Sequence, residues 1–162
     1  MSKSIFFPKV LAGEELEKAL QHFRLEKKKI VFTNGCFDLL HIGHVRYLEE
    51  AAKLGDLLIV GINTDSSVKK LKGPTRPIQN ENDRAEILAS LKSVDHTVLF
   101  GEDTPLQLIQ SIQPHVLVKG GDWKIDQIVG SDFVLNNGGQ VFSLQFVDGK
   151  STTRLIEKSQ QA

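Results

Sequence analysis

The chain alternates short apolar runs with helical patterns over most of its length, which restricts it to a parallel sheet covered by helices on both faces. The runs Ile30-Val31-Phe32, Asp56 to Asn63, His96 to Phe100, His115 to Val118 and Gln140 to Phe146 read as strands. Between them lie helical stretches. Leu16, Leu20 and Phe23 recur at helical spacing within Gly13 to Lys29, and helices are predicted over Gly43 to Leu54 and near Ser66 to Leu71. Ile87, Leu88 and Leu91 mark another within Asn80 to Lys92, with Asn80 or Asn82 as N-cap. Pro105 to Ile112 and Ser151 to Lys158 complete the series. The expected fold is a Rossmann-like three-layer α/β/α domain with a five-stranded parallel sheet. It is expected to span residues 1–162 as one domain, with 1–29 as an N-terminal helical extension.

Charge and cysteine content narrow the setting. Twenty Lys and Arg balance twenty Asp and Glu, which gives no support to a nucleic-acid or anionic-membrane partner. No apolar run is long enough to cross a bilayer, and the N-terminus lacks the pattern of a signal peptide. A lone cysteine, Cys36, cannot form an intramolecular disulfide, which fits a cytoplasmic protein. There is no Cys/His cluster of the kind that holds structural zinc.

The chemistry concentrates in the run Thr33-Asn-Gly-Cys-Phe-Asp-Leu-Leu-His-Ile-Gly-His44. It joins a strand end, a turn at Gly35 and two histidines in H-x-G-H spacing at the start of a helix. A helix N-terminus offers unpaired N–H groups and the positive end of its dipole, both suited to phosphate. His41 and His44 can add donors to the same oxygens, and Gly43 permits close backbone approach. Further polar clusters follow other strands: Asn63 to Asp65, Lys119 to Asp122, and Asp148 to Thr153. In a parallel sheet such positions converge on the rim at the carboxyl ends of the strands. Asp38 reads equally as a group facing substrate, or a metal-bound water, and as a turn-forming side chain. Cys36 reads as a small buried residue rather than a nucleophile.

These motifs resemble the H-x-G-H nucleotidyltransferases, a superfamily that includes cytidylyltransferases. A closer resemblance is to the adenylyltransferase domain of bifunctional heptose-phosphate kinase/adenylyltransferases. It covers nearly everything from Ile30 to Lys158. It rests on the run above and on Leu71-Lys-Gly-Pro-Thr-Arg-Pro77, Val118-Lys-Gly-Gly-Asp-Trp123, Asn137-Gly-Gly139 and Asp148-Gly-Lys-Ser-Thr-Thr153. Cytidylyltransferases carry Arg-Thr-Glu-Gly-Ile-Ser-Thr where this chain has Gln145-Phe-Val-Asp-Gly-Lys-Ser-Thr152, and the missing arginine and glutamate favour ATP over CTP.

The resemblance implies an enzyme that joins ATP, with Mg²⁺, to D-glycero-D-manno-heptose 1-phosphate. His41, His44 and one lysine of Lys69, Lys70 and Lys72 (Lys72, beside the Gly-Pro turn) would be catalytic. Asn34, Gly35, Cys36, Phe37, Gly43, Lys119, Gly120, Asp122, Ser151 and Thr152 would bind the nucleotide. Asp38, Arg76, Arg84 and Trp123 would bind the acceptor, and no side-chain metal ligands are expected. Arg84 has a rival reading as a surface ion pair with Glu81 or Glu86. Because the chain has no room for a kinase domain, it is expected to stand alone unless it is an excised domain, and relatives point to a homodimer or larger homo-oligomer. The alternatives are a CTP-dependent enzyme for glycerol 3-phosphate or a related phospho-alcohol, and a nucleotide-binding module without catalysis.

Overall fold

The computed structural model describes residues 7–145 and 151–161. Its strands are β1 (Val10–Leu11), β2 (Ile30–Gly35), β3 (Leu57–Asn63), β4 (His96–Phe100), β5 (Val116–Gly120) and β6 (Gln140–Leu144). They form one parallel sheet in the order β1-β4-β3-β2-β5-β6. The helices are α1 (Gly13–Leu25), α2 (Ile42–Ala52), α3 (Asp65–Lys72), α4 (Glu81–Ala89), α5 (Leu106–Ile112), α6 (Ser131–Asn136) and α7 (Thr152–Gln160).

The sheet is apolar on both sides because successive side chains of a strand face opposite ways. Ile30, Phe32, Leu57, Ile59 and Leu117 join one buried cluster. Val31, Leu58, Val60, Ile62, Val116 and Val118 join the other. Helices α1, α5 and α6 cover the first side through Leu16, Leu20, Phe23, Ile109, Ile112 and Val134. Helices α2 and α4 cover the second through Tyr47, Leu48, Ala51, Ala85 and Leu88. Burial of this kind is worth about 25 cal/mol per Å² of apolar surface and holds the layers together.

One expectation is corrected. The sheet has six strands, not five, since Val10 and Leu11 pair in parallel with Thr97 and Val98. Two residues between Pro8 and Gly13 carry no periodic pattern, so only their partners in β4 reveal the strand. Within the stretch read as an N-terminal extension, Leu16, Ala19, Leu20 and Phe23 of α1 are buried in the first cluster. Helix α6 and the short 3-10 turn Ile125–Gln127 occupy a stretch for which the apolar pattern specified no element. Strand β6 is described to Leu144; Phe146 lies outside the described residues.

The topology places an opening. From β2 the chain moves outward through β3 and β4, then returns to the other side of β2 for β5 and β6. The β2–β3 ladder runs from Ile30 to Gly35, whereas the β2–β5 ladder holds only Val31–Val116 and Phe32–Leu117. Beyond that point the carboxyl ends of β2 and β5 have no register with each other. Ligands of doubly wound sheets bind at this reversal of strand order.

Candidate active site

A cavity of about 380 Å³ lies over that opening, within the range that suits a small-molecule ligand. Asn34, Gly35, Cys36, Phe37 and Asp38 border it from the end of β2 and the turn after it, and Lys119 and Gly120 from the end of β5. His44, Lys72, Arg76 and Thr152 border it from the surrounding elements.

The turn is built from an unusual backbone. Phe37 has φ +46°, and its buried ring packs edge-on to His44 at 5.2 Å between centroids. A Cβ at position 35 would sit 3.0 Å from that ring, which accounts for glycine there. Asp38 then fixes the loop opposite. Its carboxylate accepts hydrogen bonds from the N–H groups of Ile78 (2.8 Å) and Gln79 (3.0 Å) and from Arg76 Nε (2.6 Å). Burial opposes the charge, but the Gln79 and Ile78 N–H groups and the Arg76 guanidinium hold the carboxyl below its usual range. Asp38 thus borders the cavity with its oxygens hydrogen-bonded to the loop opposite. Arg76 also borders the cavity, with Nε turned to Asp38.

His41 is the N-cap residue of α2, and its ring stacks on His44 with centroids 3.9 Å apart. Burial, then the neighbouring His41 and Lys72, lower the His44 imidazole from its ordinary value to about 4. At pH 7 it is neutral, so what it can offer an anion is an N–H donor. Its Nδ1 is buried without a hydrogen-bond partner among the described residues. Gly43 is buried in the first turn of α2 and does not border the cavity.

Among the three lysines of α3, Lys72 borders the cavity, Lys69 is exposed, and Lys70 pairs with Asp103 at 3.3 Å near the rim. Lys119 enters from the other side, and burial lowers its ammonium below the usual lysine range. Its Nζ lies 6.0 Å from the centre of the Trp123 ring. That ring is anchored by Nε1 donating to the Gly120 carbonyl at 3.1 Å and lines a smaller adjoining hollow of about 130 Å³. The two hollows share Asn34, Pro105, Lys119 and Val129.

Three assigned residues sit differently. Arg84 is 1% exposed and does not reach the cavity; its guanidinium donates to protein oxygens, including Asp65 Oδ1 at 2.8 Å. Its ion-pair partner is Asp65 rather than Glu81 or Glu86, and its burial is matched by hydrogen bonds to protein oxygens. Asp122 is exposed and outside both hollows. Ser151 caps α7 by accepting from Arg154 N at 3.2 Å, while Thr152 borders the cavity and donates to the Leu39 carbonyl at 3.0 Å. Cys36 lines the cavity half-buried, and burial raises its thiol above the ordinary value. Residues 148–150 of the Asp148–Thr153 cluster lie outside the described residues.

The structure adds residues that patterns did not single out. Tyr47, three positions after His44, lies under the cavity with its hydroxyl 2.6 Å from Thr33 Oγ1. Leu71, Thr104, Pro105 and Val129 close the walls. Tyr47 carried a signal, since it lies one helical turn from His44. Leu71 lies on α3, and Thr104, Pro105 and Val129 come from loops whose path no periodicity reports.

A parallel sheet that opens at its switch point onto stacked H-x-G-H histidines and flanking lysines defines an α/β protein of the nucleotidyltransferase type. A family model described as cytidylyltransferase-like matches residues 32–157, and the chain belongs to that family. The bifunctional protein HldE of Aliarcobacter butzleri is 57% identical over 148 residues, which is 91% of this chain and 30% of that protein. HldE of Syntrophotalea carbinolica is 51% identical over 150 residues, 93% of this chain and 31% of that protein. The chain thus spans about a third of the length of these curated relatives. A crystal structure of the lipopolysaccharide core biosynthesis protein from Thermoplasma volcanium superposes with a TM-score of 0.61 at 31% identity. That likeness covers 76% of this chain and 99% of the other.

Proposed function

We propose that the chain transfers an adenylyl group from ATP to D-glycero-D-manno-heptose 1-phosphate, giving ADP-heptose and pyrophosphate for the inner core of lipopolysaccharide. The observation that carries this reading is His44, stacked on His41 behind it, bordering a crevice of nucleotide size together with Lys72 and Lys119. Identity of 51–57% with HldE proteins over nine-tenths of the chain supports the heptose assignment. So do the Leu71–Pro77 and Val118–Trp123 motifs.

In this reaction an oxygen of the sugar phosphate attacks the α-phosphorus in line with the bond to the β-phosphate. That bond breaks, and pyrophosphate leaves with the electron pair. The acceptor is already an anionic nucleophile, so no residue need be acylated or phosphorylated. His44 and His41 donate to phosphate oxygens as negative charge builds on the leaving side. Lys72 and Lys119 offset the repulsion between triphosphate and sugar phosphate. Among the described residues no group of three or more His, Cys, Asp and Glu gathers to hold a metal. The donor set at the cavity is mainly cationic, which fits Mg²⁺ brought in on the triphosphate as part of the substrate.

The enzyme would work in the cytoplasm, where ATP is present, and as a homodimer or larger homo-oligomer; light scattering after size exclusion tests the latter, and a monomer overturns it. No described helix is long and apolar enough to cross a membrane. The reaction itself is tested by pyrophosphate release from ATP, CTP and GTP with each anomer of heptose 1-phosphate and with glycerol 3-phosphate. Release with ATP and one heptose anomer is expected. Release with CTP and glycerol 3-phosphate would move the chain to a phospho-alcohol cytidylyltransferase, and ATP binding without turnover would leave a nucleotide-binding module.

A further inference from the structure

Arg84 lies on α4, outside the cavity, yet its guanidinium ties together three segments: the turn after β2, which borders the cavity at Cys36, the loop at Gln79 and the start of α3. Nη1 donates to the Cys36 carbonyl at 2.6 Å, in the turn that leads to His41 and His44. Nε donates to the Gln79 carbonyl at 3.0 Å, and the N–H of Gln79 in turn donates to Asp38. These bonds close a circuit: Cys36 to Asp38 along the chain, across to Gln79, through Arg84 and back to Cys36. Nη2 donates to Asp65 Oδ1 at 2.8 Å. Asp65 is the first residue of α3, and its N–H donates to Glu81 of α4 at 2.6 Å. The last residue of that helix is Lys72, about 10 Å further along the axis.

The geometry assigns Arg84 as a positioning residue that sets the histidine-bearing turn and the Lys72-bearing helix at a fixed separation. It does not itself touch substrate. A planar fork is needed, because one cation must meet three oxygens in different directions, and a lysine ammonium on a flexible stem cannot hold all three. The assignment rests on the adenylyl-transfer reading for its kinetic consequence, though not for the geometry.

Arg84→Lys and Asp65→Ala test it, the second because Asp65 lies outside the cavity and loses only one tie. In both variants kcat should fall about tenfold or more while KM for nucleotide and acceptor stays within about twofold, since misplacement weakens the transition state rather than ground-state binding. The thiol of Cys36, the single cysteine, reports the turn independently of catalysis. Its reaction with an aromatic disulfide reagent should accelerate several-fold in both variants while far-UV circular dichroism stays that of the parent.

An acceptor KM raised about tenfold in Arg84→Lys, with kcat and thiol rate unchanged, would make Arg84 a binding residue and overturn the assignment. Parental kcat in both variants would overturn it too. If the parent protein releases no pyrophosphate from any substrate pair, the adenylyl-transfer reading fails by itself and the thiol rates decide the assignment: acceleration upholds it, parental rates in both variants overturn it.

Discussion

At the residue scale the histidine pair carries the largest expectation. Replacing His41 or His44 by alanine should lower turnover by about a hundredfold or more, the usual loss when one preorganised donor is removed, with folding retained. Near-parental turnover in both single variants would remove them from the mechanism. A second consequence concerns pH. The His44 imidazole accepts a proton at 6.5 in the unfolded chain but resists it in the folded protein until about 4. Between those values the unfolded state binds more protons, so stability is complete above 6.5 and declines as pH falls toward 4. Burial lowers His96 too and adds to the same decline. His44→Asn should therefore flatten, without abolishing, the fall in melting temperature from pH 6.5 to 4; an unchanged slope would show that His44 titrates normally. The pair was legible in the sequence because H-x-G-H after a strand and a glycine fixes its place by local rules alone. The fates of Asp38 and Arg84 were not legible. Their partners, Ile78 and Gln79 for one and Cys36 and Asp65 for the other, stand 19 to 48 positions away. A side chain's polarity says nothing about whether substrate or protein will take its hydrogen bonds.

At the element scale, long apolar strands and strongly periodic helices were readable, and short pieces were not. Strand β4 and the Asn80 cap of α4, which accepts from Asp83 N, match the pattern reading. A two-residue strand and a six-residue helix escape it because periodicity needs more than one turn or pleat to show itself. Helix α1 lies in the stretch read as an N-terminal extension, and its packing has an energetic consequence. Leu20 is 2% exposed within the first cluster. Leu20→Ala should destabilise the whole protein by about 2–5 kcal/mol in urea denaturation, as loss of a core leucine does. A peripheral extension would instead leave the midpoint where it was.

For the molecule as a whole, charge and topology matter more than any one contact. Twenty cations against twenty anions leave no net charge near pH 7, so solubility should pass through a minimum there and rise on either side, measured as the protein concentration left after precipitation. A minimum displaced by more than about one pH unit would mean that shifted groups such as His44 and Lys119 dominate the charge balance. The opening between β2 and β5 has a wider consequence. It exists because the chain leaves those strands in opposite directions and their ladder stops at Phe32 and Leu117. It is set by the order and register of the strands. Its walls, by contrast, come from segments such as Asp103 to Pro105 and Trp123 to Val129, which lie outside the sheet. Retailoring the protein for another nucleotide or another phosphorylated acceptor is thus a matter of grafting loops onto a frame whose vacancy is inherited from the order of its strands.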